Sequence, residues 1–226
     1  MTLPTPSIHE DIQFILWDWN GTLLDDLQLC LGTVNGMLER RQHHKLSTER
    51  YRDIFTFPVR DYYVKAGFDF SREPFDELAV EFIDGYYGHF QEAPLHAHAL
   101  EALDAVRRTG LSQGVLSATE DSILKKSLND HGICEYFSEV RGIHNHHADG
   151  KLAVGRALVQ GLSCLPGQIL LVGDTLHDAE VAHALGIHCM LISYGHQSAQ
   201  RLQQSGLTVL PDLQRFVRLL ETGNKK

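Results

Sequence analysis

Positive charge is scarce in this chain: 20 Lys and Arg stand against 29 Asp and Glu, for a formal net charge of -9. No Lys/Arg cluster overrides that average, which argues against a nucleic-acid backbone as the main partner. Long apolar runs are missing too. None approaches the ~18 residues that span a bilayer, so no membrane partner is expected. The opening MTLPTPSIHED carries Pro4 and Pro6 but neither a basic leader region nor a long apolar one, so no signal peptide is expected and a cytoplasmic setting follows by default. Cysteine is sparse. Cys30, Cys134, Cys164 and Cys189 lie far apart with no C-x-x-C pair, which argues against a zinc ribbon or a thioredoxin-like motif and leaves four ordinary thiols. There is no internal repeat and no low-complexity segment.

What is present suffices for a packed core: 43% of the 226 residues are hydrophobic. The length suits one large domain or a core with a smaller insert. Histidine is frequent, at 14, with clusters at His96/His98 and His144/His146/His147. No ligand pattern accompanies them, and they read as solvent-facing loop residues. Four short apolar runs, F-I-L-W (14–17), Q-G-V-L-S (113–117), Q-I-L-L-V-G-D (168–174) and H-C-M-L-I-S (188–193), suit strands buried on both faces. Between them, helical spacing runs to glycine stops at Gly110, Gly132, Gly161 and Gly186. This alternation predicts an α/β fold, a Rossmann-like, doubly wound parallel sheet.

Residues 25–93 break the rhythm. The stretch is rich in aromatics and charges, shows no buried-strand run, and repeats apolar residues at helical spacing (Leu27, Leu31, Val34, Leu38; then Phe75, Leu78, Phe82, Tyr86). The expected division is a core of residues 1–24 and 94–226 with a helical cap inserted at 25–93, leaving after the first strand and returning near Pro94.

In an open parallel sheet, ligands collect beyond the carboxyl ends of the strands. Asp18, Ser117 and Asp174 each end a run there, and Lys151 opens a helix after the D-G turn at 149–150. Asp178, one helical turn after Asp174, reaches the same pocket. Each has a plainer reading: Asp18 as a strand-end residue holding turn amides, Ser117 as a helix N-cap, Lys151 as a surface lysine, Asp178 as an acid favourable to the helix dipole. Gly21 supplies a turn geometry open to few other residues, and Thr22 steadies that turn.

These residues, in this order, resemble the haloacid-dehalogenase superfamily over nearly the whole chain, and within it the phosphoglycolate-phosphatase-like branch with a helical cap. D-W-N-G-T-L-L-D (18–25) is similar to the first family motif, D-x-D-G-T-L-x-D. Ser117 after V-L, Lys151, and G-D-T-L-H-D (173–178) fall where the second, third and fourth motifs do. The resemblance implies a magnesium-dependent phosphatase acting on a small phosphorylated metabolite, as a monomer or homodimer. Asp18 would attack phosphorus to give an aspartyl-phosphate. Asp18, Asp174 and the backbone carbonyl of Asn20 would hold the metal. Thr22, Ser117, Ala118 and Lys151 would bind the phosphoryl group, and Asp178 would orient Lys151 or a metal-bound water. Phosphomutase and dehalogenase chemistries are disfavoured.

Two departures stand out. Leu152 follows the lysine where the family commonly has proline. Asn20 replaces the aspartate that protonates the leaving oxygen and later activates water, a role an amide cannot perform. The second departure leaves three expectations: turnover confined to activated leaving groups, transfer of the proton role to another group such as Asp61 or His177, or phosphate binding with weak or no catalysis.

Overall fold

The computed structural model describes residues 11–143 and 149–223. The second histidine cluster, His144/His146/His147, lies outside the described residues.

Strand β1 (Phe14–Trp17) is buried along its length. It pairs in parallel with β2 (Ser112–Glu120) on one side and β4 (Ile169–Gly173) on the other, with Trp17 level with Val115 and Val172. β3 (Glu139–Ile143) lies outside β2, and β5 (His188–Ile192) and β6 (Thr208–Leu210) lie outside β4. The order is β3-β2-β1-β4-β5-β6, and every pairing is parallel. The expected doubly wound sheet is therefore present. The chain steps outward from β1 through β2 to β3, then crosses back to β4 on the other side. The crevice used by ligands in such sheets thus opens beyond the ends of β1 and β4.

Alternation along β1 explains its unbroken apolar sequence. Successive side chains of a strand point to opposite faces. Ile15 and Trp17 join one apolar cluster with Leu103 and Val106 of α5 (Ala99–Thr109) and Leu213, Phe216 and Leu220 of α10 (Leu213–Gly223). Phe14 and Leu16 join another with Leu158 and Val159 of α7 (Asp149–Gly161) and Val181 and Ala182 of α8 (Leu176–Leu185). Both faces are covered, so no position on β1 can be polar.

Between β1 and α5 come four helices: α1 (Leu27–Arg40), α2 (Thr48–Ile54), α3 (Val59–Ala66) and α4 (Phe75–Tyr87). The chain leaves and returns side by side, with Asp25 N–H donating to Pro94 O at 2.8 Å and His96 N–H to Leu23 O at 2.8 Å. Apolar residues of these helices continue the first cluster, so they share a core with the sheet.

Several local expectations are corrected. β2 continues past Ser117 to Glu120, and α6 (Asp121–Asp130) starts from Glu120, whose side chain accepts the N–H groups of Ser122 and Ile123. Ser117 is therefore not a helix N-cap. Asp149 and Gly150 open α7 itself instead of forming a separate turn before it, and α7 runs through Gly161. The glycine stops of α5, α6 and α8 do hold: Gly110 and Gly186 are left-handed C-caps, and left-handed Gly132 directly follows the α6 C-cap, His131. Strands β3 and β6 lacked a signal because both are edges. E-V-R-G-I mixes polar residues into its run, and T-V-L is only three residues long. Among the described residues no helix is long and apolar enough to cross a membrane.

Candidate active site

Asp18 continues β1 by one residue, its N–H donating to Val172 O at 2.9 Å. The chain then turns tightly, with the N–H groups of Thr22, Leu23 and Leu24 all donating to Trp19 O. Gly21 sits in this turn at φ 72°, and a Cβ there would collide with the carboxylate of Asp174 and the ring of His196. Glycine is needed here both for conformation and for space. Asp174 follows β4 at the same edge. Its oxygens accept from Thr22 Oγ1 at 3.2 Å and from the His196 N–H at 2.6 Å.

The first turn of α7 carries Lys151 inward. The side chain is only 3% exposed, and its Nζ bridges Asp18 Oδ1 at 2.5 Å and Asp178 Oδ1 at 2.6 Å. The surface-lysine reading is excluded. Asp178 is held from its other oxygen by Thr175, which closes a capping box at the start of α8: Thr175 N–H and Oγ1–H both donate to Asp178 Oδ2, at 3.0 and 2.7 Å. Asp178 is thus both a first-turn acid and the anchor for the lysine.

The sheet edge therefore brings Asp18, Asp174, Asp178 and Lys151 into one buried cluster, as expected from the positions of the strand ends. Oxygens of the three carboxylates lie within 4.8 Å of one another. Three anions face one ammonium. Burial, with Asp178 and Asp174 nearby, outweighs Lys151 and pushes Asp18 up to about 8. Burial also pushes Asp174 up, to about 6. Asp178 stays below the ordinary range because Lys151 and Thr175 hold its charged form against burial. A buried, all-oxygen cluster with excess negative charge fits a hard divalent cation.

Asn20 is held at all four of its hydrogen-bonding positions. Its Nδ2 donates to Asp26 Oδ2 at 3.0 Å and to the Tyr86 hydroxyl at 2.7 Å, while its Oδ1 accepts from Thr119 Oγ1 at 2.6 Å and Ser117 Oγ at 3.3 Å. Ser117, fully buried, also accepts the Thr119 N–H at 3.0 Å. Ala118 lines the cavity beside it.

Asp26 is the hub that sequence reasoning missed. Gly21 N–H (2.8 Å) and His196 Nε2 (3.1 Å) meet its Oδ1, and Asn20 and the Tyr86 hydroxyl (2.6 Å) donate to Oδ2. His196 Nδ1 in turn pairs with the Tyr51 hydroxyl at 2.9 Å. Burial would raise the Asp26 carboxyl, but His196, Tyr86 and Asn20 hold it down to about 2. Burial would lower His196, yet Asp26 and Asp174 raise it to about 9. Cys30 is close enough to join Asp26 and His196 around a metal, but both Asp26 oxygens are already engaged. This group is a hydrogen-bond network. The strand-end rule would have found His196, since S-Y-G-H directly follows β5. Nothing in L-L-D-D distinguishes Asp26 from Asp25, and Tyr86 reads in the sequence only as part of an apolar stripe.

One cavity of about 190 Å3 joins the two clusters to the inserted helices. Its walls include Asp18, Asn20, Lys151 and Asp174 at one end and aromatic side chains of α2, α3 and α4 at the other. Of the two suggested substitutes for the missing acid, Asp61 is exposed and not among the lining residues. His177 lines the cavity with its ring 4.6 Å from that of Phe57, and its Nε2 is buried without a hydrogen-bond partner. His98 pairs with Glu101 at 2.7 Å, apart from these clusters, but His96 is not the solvent-facing residue expected: its side chain is only 10% exposed and lies against Tyr194, 3.7 Å from Asp25 and beside the Asp26–His196 network.

Residues 15–192 match the model of the haloacid dehalogenase-like hydrolases. The chain belongs to this family. A phosphoglycolate phosphatase of Aliivibrio fischeri is 24% identical over 91% of this chain and 94% of its own length. That of Salmonella typhimurium is 29% identical over 64% of this chain, which spans 58% of the Salmonella protein. A haloacid dehalogenase-like hydrolase from Streptococcus pneumoniae superposes with a TM-score of 0.78 at 16% identity, covering 92% of this chain and 98% of that one. The expectation of a hydrolase of this family, similar to phosphoglycolate phosphatases, is borne out.

Proposed function

We propose that the protein is a magnesium-dependent phosphatase that cleaves a small phosphorylated molecule through an aspartyl-phosphate on Asp18. The observation that carries this reading is the Lys151 bridge: a buried ammonium holds Asp18 Oδ1 at 2.5 Å and, among the described residues, leaves the second carboxylate oxygen, Oδ2, with the Thr22 hydroxyl at 3.4 Å as its one hydrogen-bond partner. A phosphate monoester repels an incoming anion, so attack needs charge neutralisation and alignment. Lys151 supplies one positive charge beside the nucleophile. Ser117 and the Ala118 backbone, within β2, would receive the phosphoryl oxygens, and Asp178 fixes the lysine. Asp18 and Asp174, with the backbone carbonyl of Asn20, would hold magnesium, which supplies a second positive charge to the phosphoryl oxygens. The inserted helices, residues 25–93, act as a cap that closes the site and selects the leaving group.

A second reading, phosphate binding with little turnover, is favoured by one observation. The position of the proton-transferring acid is an amide whose hydrogens are already committed to Asp26 and Tyr86.

Phosphate release from a panel of monoesters, with and without magnesium, in wild type and Asp18→Asn, tests both. Magnesium-dependent release that disappears in the variant supports the phosphatase. Phosphate binding without release supports the second reading, and release retained in Asp18→Asn overturns the nucleophile.

A further inference from the structure

We infer that the leaving group this site accepts is an uncharged aromatic alcohol, so that the substrate is an aryl phosphate; this rests on the phosphatase reading above. Two independent features of the cavity converge on that class.

The first is the wall opposite the carboxylates. It is built from Phe55, Phe57, Tyr62, Phe82, Ile83 and Tyr87. The lining contains a single Lys or Arg, Lys151, whose ammonium is spent on Asp18 and Asp178. His196 is tied to Asp26. Among the described residues, no lining lysine or arginine is left to receive a carboxylate or a second phosphate on the leaving group; the unpartnered lining groups, His177 Nε2 and the Tyr62 hydroxyl, offer single hydrogen bonds of the kind a ring hydroxyl can meet. Burying such a charge unpaired costs several kcal/mol, on the order of thousands-fold in affinity. An apolar ring instead gains from the same wall. At about 190 Å3 the cavity is somewhat larger than the ~150 Å3 apolar cavity known to take up benzene, leaving space for a ring with its phosphoryl group at the carboxylate end.

The second feature is Asn20. An alkyl alkoxide is about as basic as hydroxide, whose conjugate acid has a pKa of ~16, and leaves poorly without a proton. A phenolate, with pKa ~10 as in tyrosine, leaves without one. The step balances without an acid. Asp18 forms an O–P bond as the P–O(aryl) bond breaks, and the electron pair departs on the phenolate, which later takes a proton from water. A water oxygen then attacks the aspartyl-phosphate, the P–O(Asp18) bond breaks, and the water proton leaves to solvent with inorganic phosphate.

The test compares phenyl phosphate, propyl phosphate and phosphoglycolate as substrates with magnesium. Alongside it runs binding of two uncleavable analogues, benzylphosphonate and 3-phosphonopropionate, by calorimetry. Phenyl phosphate is expected to exceed both others in kcat/KM by about 100-fold or more, and benzylphosphonate to bind more tightly than the carboxylated analogue by a similar factor. In Ile83→Arg, which places a cation on the apolar wall, both ratios should fall at least tenfold. Preference for phosphoglycolate or for 3-phosphonopropionate by the wild type overturns the aryl assignment while leaving the phosphatase intact, as does failure of benzylphosphonate to bind. Tight benzylphosphonate binding with no release from any ester overturns hydrolysis and leaves the aryl preference standing. The wild-type comparison decides the matter even if Ile83→Arg does not fold.

Discussion

Asn20 gives an amide hydrogen to Asp26 Oδ2 at 3.0 Å, and that oxygen also takes the Tyr86 hydroxyl hydrogen at 2.6 Å. The amide and the buried acid are therefore complementary: position 20 can be neutral because position 26 is charged. Two carboxylates at that separation cannot both ionise.

Restoring an acid at position 20 alone should accordingly fail. Asn20→Asp is expected to lower stability by about 1–3 kcal/mol, because it replaces a donor to Asp26 with an acceptor. At ~2–4 °C per kcal/mol, a drop in Tm of several degrees follows. Asn20→Asp combined with Asp26→Asn should recover most of that Tm and flatten the dependence of kcat/KM on leaving-group pKa. Thermal melts of the two singles and the double measure the coupling. Additive Tm changes would mean that the two positions do not interact.

Lys151 is predicted to serve structure and activity together. Lys151→Met keeps the apolar stem but leaves Asp18 and Asp178 buried without their shared ammonium. Removing one partner of a buried ion pair costs about 3–5 kcal/mol. Loss of a charge placed against a developing transition state costs about 10²- to 10³-fold. A fall in kcat/KM of that size, at a temperature where circular dichroism shows the variant folded, is the expected result. Unchanged kinetics in a folded variant would remove Lys151 from the chemistry.

Legibility followed burial. The strands covered on both faces, β1 and β4, wrote themselves as F-I-L-W and I-L-L-V-G, and the acids at their ends were readable from that alone. Edge strands β3 and β6 wrote no such signal, and the S-A-T-E end of β2 hid both the true start of α6 and Thr119, whose hydroxyl holds Asn20. Asp26, Tyr86 and His196 lie far apart in the chain and have no mutual spacing to read. What makes them a unit is a shared set of hydrogen bonds, which exists only once the inserted helices pack on the sheet.

That unit should reveal itself through pH. His196, raised to about 9 by Asp26 and Asp174 despite burial, contributes stability that is complete below its unfolded value near 6.5 and is lost as pH rises through 9. Asp26, depressed to about 2, contributes stability present above about 3.8 and lost as pH falls through 2. The accessible signature is alkaline. Metal-free wild type should lose roughly 3 kcal/mol between pH 6.5 and 9 relative to His196→Gln. Urea unfolding at a series of pH values measures the difference. Parallel curves would show that His196 is neutral in the folded protein.

Asp174 should show the same sign as His196, in a more acidic window. Burial raises its carboxyl to about 6, so the folded state holds a proton that the unfolded state releases near 3.8, and metal-free stability is lost as pH rises between those values. At pH 7.5 without divalent cations, Asp174→Asn removes that unfavourable charge while the amide oxygen can still accept the His196 N–H. The variant should therefore be more stable than wild type by about 1–3 kcal/mol in the absence of metal. Magnesium should then invert the ranking. A cation bound only by the folded state adds RT ln(1 + [L]/Kd), about 2.7 kcal/mol at a hundred times Kd, to the protein that has the site. Wild-type Tm should rise with magnesium while that of Asp174→Asn stays flat. The same substitution would thus stabilise the empty protein and abolish both the magnesium shift and turnover, as the proposed metal-binding role of these crowded acids requires. If Asp174→Asn instead melts lower than wild type in chelator and still responds to magnesium, the carboxylate is a structural partner of the Gly195–His196 backbone, and the cation is held elsewhere.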